Sequence, residues 1–479
     1  MAQLPLDEEQ TGIFNRLHNL LMLSRAETTR LNQYYEGDRR LRQLGLAIPP
    51  ELQSFTVFLA WPRVAVDGVE QRLDVTGFRL PGQAADSYLW ENWQYNDLDE
   101  LQSWAHTDAL ALARSYICVG TNRDDKEHPL VTVESPMEMV TLRDPATRRV
   151  VAALRLYSDQ PGTGQASAVQ DTRATLYLPN STHWLTSGGN GWENIEAPDQ
   201  HNLGVVPVVP MVNRDRPTRR TAAFIEGISE MADVIPIAES ASRAVTNGQL
   251  AQETHAVPHR VLLGASKSDF TNPDGSPTGA FDAYMSSMTA LANPAARAVQ
   301  FDASDMTNFE VMVNMYARLA SGVASMPIEY FGLNTQNAPS AEGQRAGETR
   351  LIKKAERKQV AFGHAWEAAQ RLVLRFRNGG VEDPDPRLRG LEAMWRDAGT
   401  PTKAQAADAT VKLFSAGLVD WETAQEDLGR TPAQIEQMKT RRQADMVLDT
   451  GLGVQAALVE QGNPGPLDDA GVAAPPVPR

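Results

Sequence analysis

The residues best placed to do chemistry lie in one stretch, Ser340 to Asn378, where nine lysines and arginines stand against four glutamates in a chain of formal net charge −15. Lys353, Lys354, Arg357 and Lys358 form its densest group. Cations at helical spacing can neutralise phosphates or pair with carboxylates. The carboxylate surplus of this chain favours ion pairs, within the chain or between copies, each exposed pair contributing only ~0–1 kcal/mol. Upstream, Asn334, Thr335, Gln336 and Asn337 lie between Pro327 and Pro339, in a loop whose one charge is Glu329. The amides of Asn334, Gln336 and Asn337 bond phosphate oxygens weakly and exchange them for water, without the counterion-release affinity that a lysine or arginine adds. Gly343 and Gly347 follow, four apart at the start of a helix. Each costs about 1 kcal/mol relative to alanine there, which suits a hinge.

Catalytic constellations are missing. The chain has no phosphate loop with GK before Ser or Thr, no HExxH, no paired-cysteine metal spacing and no GxSxG elbow. His255 and His259 are four apart, but Pro258 between them argues against a helical metal pair. Cys118, the only cysteine, sits in the apolar run Tyr116 to Val119 and reads as a core residue. It excludes a disulfide within the chain and fits a reducing compartment. No catalytic residue, metal or cofactor is expected, and the chain reads as not an enzyme.

The elements that hold these residues follow from apolar spacing. Met306, Phe309, Val313, Tyr316, Ala320 and Val323 form one helical stripe. A second row, Met312, Met315 and Leu319, makes that helix apolar on more than one face, as in a helix packed between neighbours. The basic helix has no proline from Glu348 to Arg377, Ser340 as N-cap and Asn378-Gly379-Gly380 as its stop. Its row Leu351, Ala355, Phe362, Trp366, Ala369 and Val373 needs an apolar partner.

Ahead of these, Asp7 to Leu46 reads as helix, Trp90 to Val119 as helical spacing ending in the apolar run, and Leu130 to Leu178 as strands. Leu203 to Arg214 carries too many prolines for a central strand and is expected as an extended cover. Glu226 to Glu253 reads as a helix kinked at Pro236, followed by short strands at Val257 to Leu263 and Val299 to Phe301. Short helices run from Thr402, and beyond Thr450 a Gly, Pro, Ala and Asp composition predicts disorder. The fold class is α+β.

At 479 residues the length suits about three domains. The negative charge argues against tight sequence-independent DNA binding and against a membrane surface. With no run of eighteen apolar residues and no signal pattern, a soluble chain made in a cytoplasm is expected.

An ordered set of landmarks resembles the portal proteins of tailed bacteriophages, in the version of long-tailed phages. They are Tyr34-Tyr35-Glu36-Gly37, Val66-Asp67, Trp90-Glu91-Asn92, Glu134-Ser135-Pro136, Asp144-Pro145, Gly204 to Pro210, Asn213-Arg214, then Gly227, Ser229, Glu230 and Asp233, and finally Asn334, Asn337, Ser340-Ala341-Glu342 with the basic helix. Gly343 and Gly347 depart from the pattern, which favours alanine-like helix formers there.

The resemblance implies a portal-like architecture: a wing in residues 1–225 and 340–392, stem helices at 226–254 and 304–324, and a clip at 255–303. It further implies a tunnel loop at 325–339, a crown at 393–449 and a tail at 450–479. It implies a homo-oligomeric ring, usually dodecameric, at one capsid vertex of the virion, a channel for double-stranded DNA read without sequence specificity. The implied partners are the terminase large subunit, a head-to-tail adaptor, and the major capsid or scaffolding protein. On that reading Asn334, Thr335, Gln336 and Asn337 line the channel, and Lys353, Lys354, Arg357 and Lys358 sit on a ring-interface helix. The alternative is a capsid scaffold or adaptor subunit without a channel.

Overall fold

The computed structural model describes residues 5–38, 57–83, 85–158, 172–188, 191–216, 226–255, 260–263, 297–300, 307–333, 341–380, 385–399, 403–431 and 433–443. Contacts divide the chain into two units: one of residues up to Asp74 and from Asn96 to Pro384, the other of Val75–Tyr95 and residues from Asp385 on.

In the first unit, helix α1 (Glu8–Glu36) starts on a reciprocal capping box between Asp7 and Gln10 and stops at Gly37, whose φ of 83° frees the chain to leave the helix. Its Phe14, Leu17 and Leu21 pack on Leu154, Leu156, Leu176 and Leu185. These four come from an antiparallel five-stranded meander: β4 (Met139–Arg143), β5 (Val150–Tyr157), β6 (Arg173–Tyr177), β7 (Thr182–Gly188) and β8 (Gly191–Asn194). Alternation along β5 sends Ala153 to the opposite face, where it joins Tyr116, Cys118, Met139, Val206 and Val208. Cys118 is thus a core residue, and burial pushes its thiol well up.

A second sheet has the order β3-β2-β9, with β2 (Arg114–Gly120) between β3 (Leu130–Glu134) and β9 (Val208–Val212). Two sequence expectations change here. The stretch from Trp90 to Val119 is two helices, α3 (Ser87–Tyr95) and α4 (Leu98–Ala111), followed by the strand β2, because Ala113 turns the chain with a φ of 75° and ends the helical run. The proline-rich segment does form a strand, but at the sheet's edge, pairing with β2 in the register Tyr116↔Pro210, where a missing N–H is tolerated. Helix α2 (Trp61–Glu70) packs against α4.

Helices α5 (Ile235–His255) and α6 (Thr307–Ala324) lie against each other, with Phe309 of α6 in contact range of Gly248. Pro236 does not kink α5; it occupies the first turn, where its missing N–H costs nothing. The helix expected from Glu226 therefore begins nine residues later, and in 226–234 the N–H groups of Ile228 and Glu230 bond distant carbonyls while Ala232 and Val234 bond within the segment. Strands β10 (Arg260–Leu263) and β11 (Arg297–Gln300) pair antiparallel. A 3₁₀ turn (Ile328–Phe331) follows α6, its Phe331 edge-on to Trp61 with centroids 5.8 Å apart. The long helix α7 (Ala341–Arg377) has 37 residues, ~55 Å. It ends at Gly379 and Gly380, both with positive φ.

In the second unit, β1 (Val75–Arg79) pairs antiparallel with β12 (Glu392–Trp395), and α3 covers them with Trp93, 5.4 Å from Phe78 between centroids. Helices α8 (Lys403–Ser415) and α9 (Trp421–Asp427) end near Gly417 and Gly429, both left-handed. Thr431 and Gln434 then exchange the two bonds of a capping box, 3.3 and 3.4 Å, ahead of helical residues 433–443.

Candidate functional site

Helix α7 carries the charged residues singled out in the sequence, and its packing decides what they can do. Leu351, Ala355, Phe362, Trp366, Ala369 and Val373 are all buried, and the spacing of that row leaves one gap, between Ala355 and Phe362. Lys358 fills it. Buried like its apolar neighbours, it donates from Nζ to Glu230 Oε1 at 2.7 Å and to Asn213 Oδ1. One turn earlier, Lys354 Nζ sits 2.6 Å from Glu230 Oε2 and donates to the Ala324 carbonyl at 3.1 Å.

Glu230 is 4% exposed and shared by two ammonium groups. Burial pushes its carboxyl up, but Lys354 and Lys358 outweigh that and hold it at about 2. Lys358, short of a carboxylate of its own, is drawn below the usual lysine value by burial. Asn213 completes the shell: its Nδ2 donates to the Ile228 carbonyl at 2.7 Å and to Glu230 Oε1 at 3.1 Å.

The backbone around the node is equally constrained. Glu230 N–H donates to the Leu110 carbonyl at 2.8 Å, and Ile228 N–H to that of Asn213 at 2.9 Å, so 226–230 is tied to both α4 and the end of β9. Gly227 makes this approach possible. At its φ of +78°, a Cβ would lie 2.4 Å from the Ala113 carbonyl oxygen and 2.6 Å from that of Asn213. Gly227→Ala is therefore expected to destabilise the fold by at least the 1–2 kcal/mol of a left-handed L-residue, read as a lowered denaturant midpoint.

What the node joins follows from where its members lie. Glu230 stands just ahead of the start of α5, and Ala324 is the last residue of α6. Lys354 and Lys358, one turn apart on α7, thus hold the segment leading into α5, and Lys354 also holds the end of α6. Further contacts pin α7 along its length: Arg72 to Glu348 at 3.2 Å, Gln359 to the Arg72 carbonyl at 3.0 Å, Trp366 to His106 at 2.9 Å and Arg377 to Glu127 at 2.9 Å.

Of the residues singled out in advance, the structure brings Lys354 and Lys358 together at Glu230, pairs Lys353 with Glu356 of its own helix at 2.6 Å and leaves Arg357 exposed. Asn334, Thr335, Gln336 and Asn337 lie outside the described residues. Gly343 and Gly347 fall within α7, and a Cβ at Gly347 would meet nothing within 4 Å. No group of three or more His, Cys, Asp or Glu among the described residues is arranged to hold a metal, and no described helix is long and apolar enough to cross a membrane.

Residues 21–447 match the family model described as "Phage portal protein, SPP1 Gp6-like". The chain belongs to that phage portal protein family. This portal protein is 34% identical over 439 residues to the portal protein of Mycobacterium phage D29, covering 89% of this chain and 87% of that one. It is 33% identical over 462 residues to the portal protein of Mycobacterium phage L5, covering 93% and 90%. A looser likeness is to a chain in the virion of a native gene transfer agent particle, with a TM-score of 0.41, 13% identity, and 85% and 94% of the two chains covered. Asn213, Gly227 and Glu230, landmarks of the portal resemblance scattered along the sequence, meet in one place. The partnership of Glu230 with Lys354 and Lys358 was not anticipated from the sequence, although the gap in the apolar row of α7 marked where a buried cation would stand.

Proposed function

We propose that the chain assembles into a closed ring, of twelve copies in the virion, at one capsid vertex, and that double-stranded DNA passes through its centre during packaging and ejection. One observation carries this reading. The face of α6 turned away from α5 bears Val311, Met312, Met315, Leu319 and Val323, between 41% and 61% exposed. An apolar helix face of that size needs a cover. Supplied by the next copy, and repeated head to tail, the contact closes into a ring.

On this reading α5 and α6 are the stem at 226–254 and 304–324, residues 255–303 the clip for the terminase large subunit and later the head-to-tail adaptor, and 393–449 the crown. Residues 1–225 and 340–392 form the wing, against the major capsid or scaffolding protein. The chain is made in the cytoplasm of a bacterial host, needs no cofactor and leaves ATP hydrolysis to the motor. The loop at 325–339 lines the narrowest part, where the amides of Asn334, Gln336 and Asn337 let phosphates slide.

Two substitutions test the ring. Met315→Asp with Leu319→Asp alters exposed positions and is expected to leave monomer stability within about 0.5 kcal/mol. Rings should vanish from negative-stain images and mass photometry. Undiminished rings would place the interface elsewhere.

A second test concerns the hinge. Changing Gly343 and Gly347 together to alanine removes about 1 kcal/mol of helix cost at each. Ring yield should hold while packaging slows or DNA retention drops, and normal packaging would remove the hinge.

A further inference from the structure

We propose that the cleft beside Trp184 is a docking site for an arginine-bearing segment of a partner protein. The cleft is about 610 Å³, in the first unit, between the β2–β3 loop and the segment after β8. Trp184, Leu130 and Pro198 supply apolar wall, and Asp124, Glu196 and Asp199 supply carboxylates. Leu130 stands 44% exposed at its side.

Arg123 shows what fits. Its guanidinium lies over the Trp184 ring, 5.7 Å from the centroid, and reaches Glu196 at 2.9 Å, with the side chain still 66% exposed. A flat ring under a planar cation, with a carboxylate at its edge, is a geometry that selects arginine over lysine. The pair is exposed and weakly held, so an incoming arginine can replace it. Three carboxylates around one cation leave charge for another, and Glu196 and then Asp199 both act on Arg123. The stem and node use none of these residues. Charge also names the occupant: the lining of the cleft carries three carboxylates against the single cation Arg123, which complements a basic segment.

The test uses the assembled full-length protein and a fluorescein-labelled Gly-Arg-Gly-Arg-Gly peptide, with its lysine counterpart, followed by anisotropy at low salt. The arginine peptide should bind better than the lysine one. Arg123→Ala, which empties the cleft, should tighten binding, while Trp184→Leu should weaken it about 5-fold. Glu196→Gln, at an exposed edge where the change is nearly isosteric, should weaken it too. Equal binding of both peptides, no gain in Arg123→Ala, or no loss in Glu196→Gln would overturn the proposal. So would a change in ring yield in Arg123→Ala, which would assign the cleft to a neighbouring copy.

Discussion

Lys358→Met should cost about 3–5 kcal/mol of stability. Methionine matches the apolar row, so packing is not what fails. The loss comes from Glu230, left buried with one cation where it had two, and from the Asn213 carbonyl, which loses its ammonium donor. Adding Glu230→Leu should recover much of the loss, because an apolar pair of similar volume replaces a buried ion pair at little or no penalty. Lys354, still 20% exposed, can turn its ammonium toward solvent. Equilibrium denaturation of the two single variants and the double variant gives the coupling directly. Near-additive losses would show that Glu230 and Lys358 do not act as a pair.

The second large effect is acid sensitivity through His106. Fully buried, stacked on Phe362 at 5.5 Å between centroids, it accepts the Trp366 indole N–H on Nε2. Burial lowers its pKa to about 3, with the Leu73 carbonyl acting in the opposite direction. Because the folded value lies below the unfolded one of about 6.5, the unfolded chain binds the extra proton first. Stability is then complete above about pH 6.5 and falls by about 1.4 kcal/mol per pH unit from there toward pH 3. Glu230 adds loss in the same direction below about pH 5, down to its value near 2. Asp108, raised to about 6 by burial, and Glu70, raised to about 7 by burial beside Asp74 and Asp67, work the other way: their contribution is present at low pH and lost on going up through those values. The measurement is therefore a difference. Unfolding free energies at pH 7, 6, 5 and 4 for the natural chain and for His106→Gln should diverge as pH falls, the variant losing less. Parallel curves would mean that His106 protonates without opening the core.

Much of the architecture was legible because it rests on local patterns. The capping box at Thr431, the glycine stops at Gly379, Gly417 and Gly429, and the two-faced apolar spacing of α6 are set within a few residues of sequence. What escaped depends on distant partners. Tyr116 to Val119 continues an apolar spacing that suits a helix, and only pairing with β3 and β9 makes it a strand. Residues 226–234 carry helical spacing, yet Ile228 and Glu230 donate to Asn213 and Leu110, and Ala232 and Val234 close only tight turns on Ser229 and Met231. At the node, Lys358 reads in isolation as one more solvated lysine. Its burial depends on Glu230, 128 residues away.

Strand β9 carries a further consequence. Asn213 N–H bonds the Ala113 carbonyl, and Val119 N–H that of Pro207, so odd-numbered residues of this segment face β2 and even-numbered ones face away. Pro210 is among the even ones. Its missing N–H therefore falls on the side away from β2, leaving Val208 and Val212 as the strand's donors on that side. An edge so blunted is a poor template for a foreign strand. Where many copies are crowded together during assembly, it guards against sheets fusing between neighbours, and Pro210→Val should reveal that protection as aggregation of otherwise folded protein.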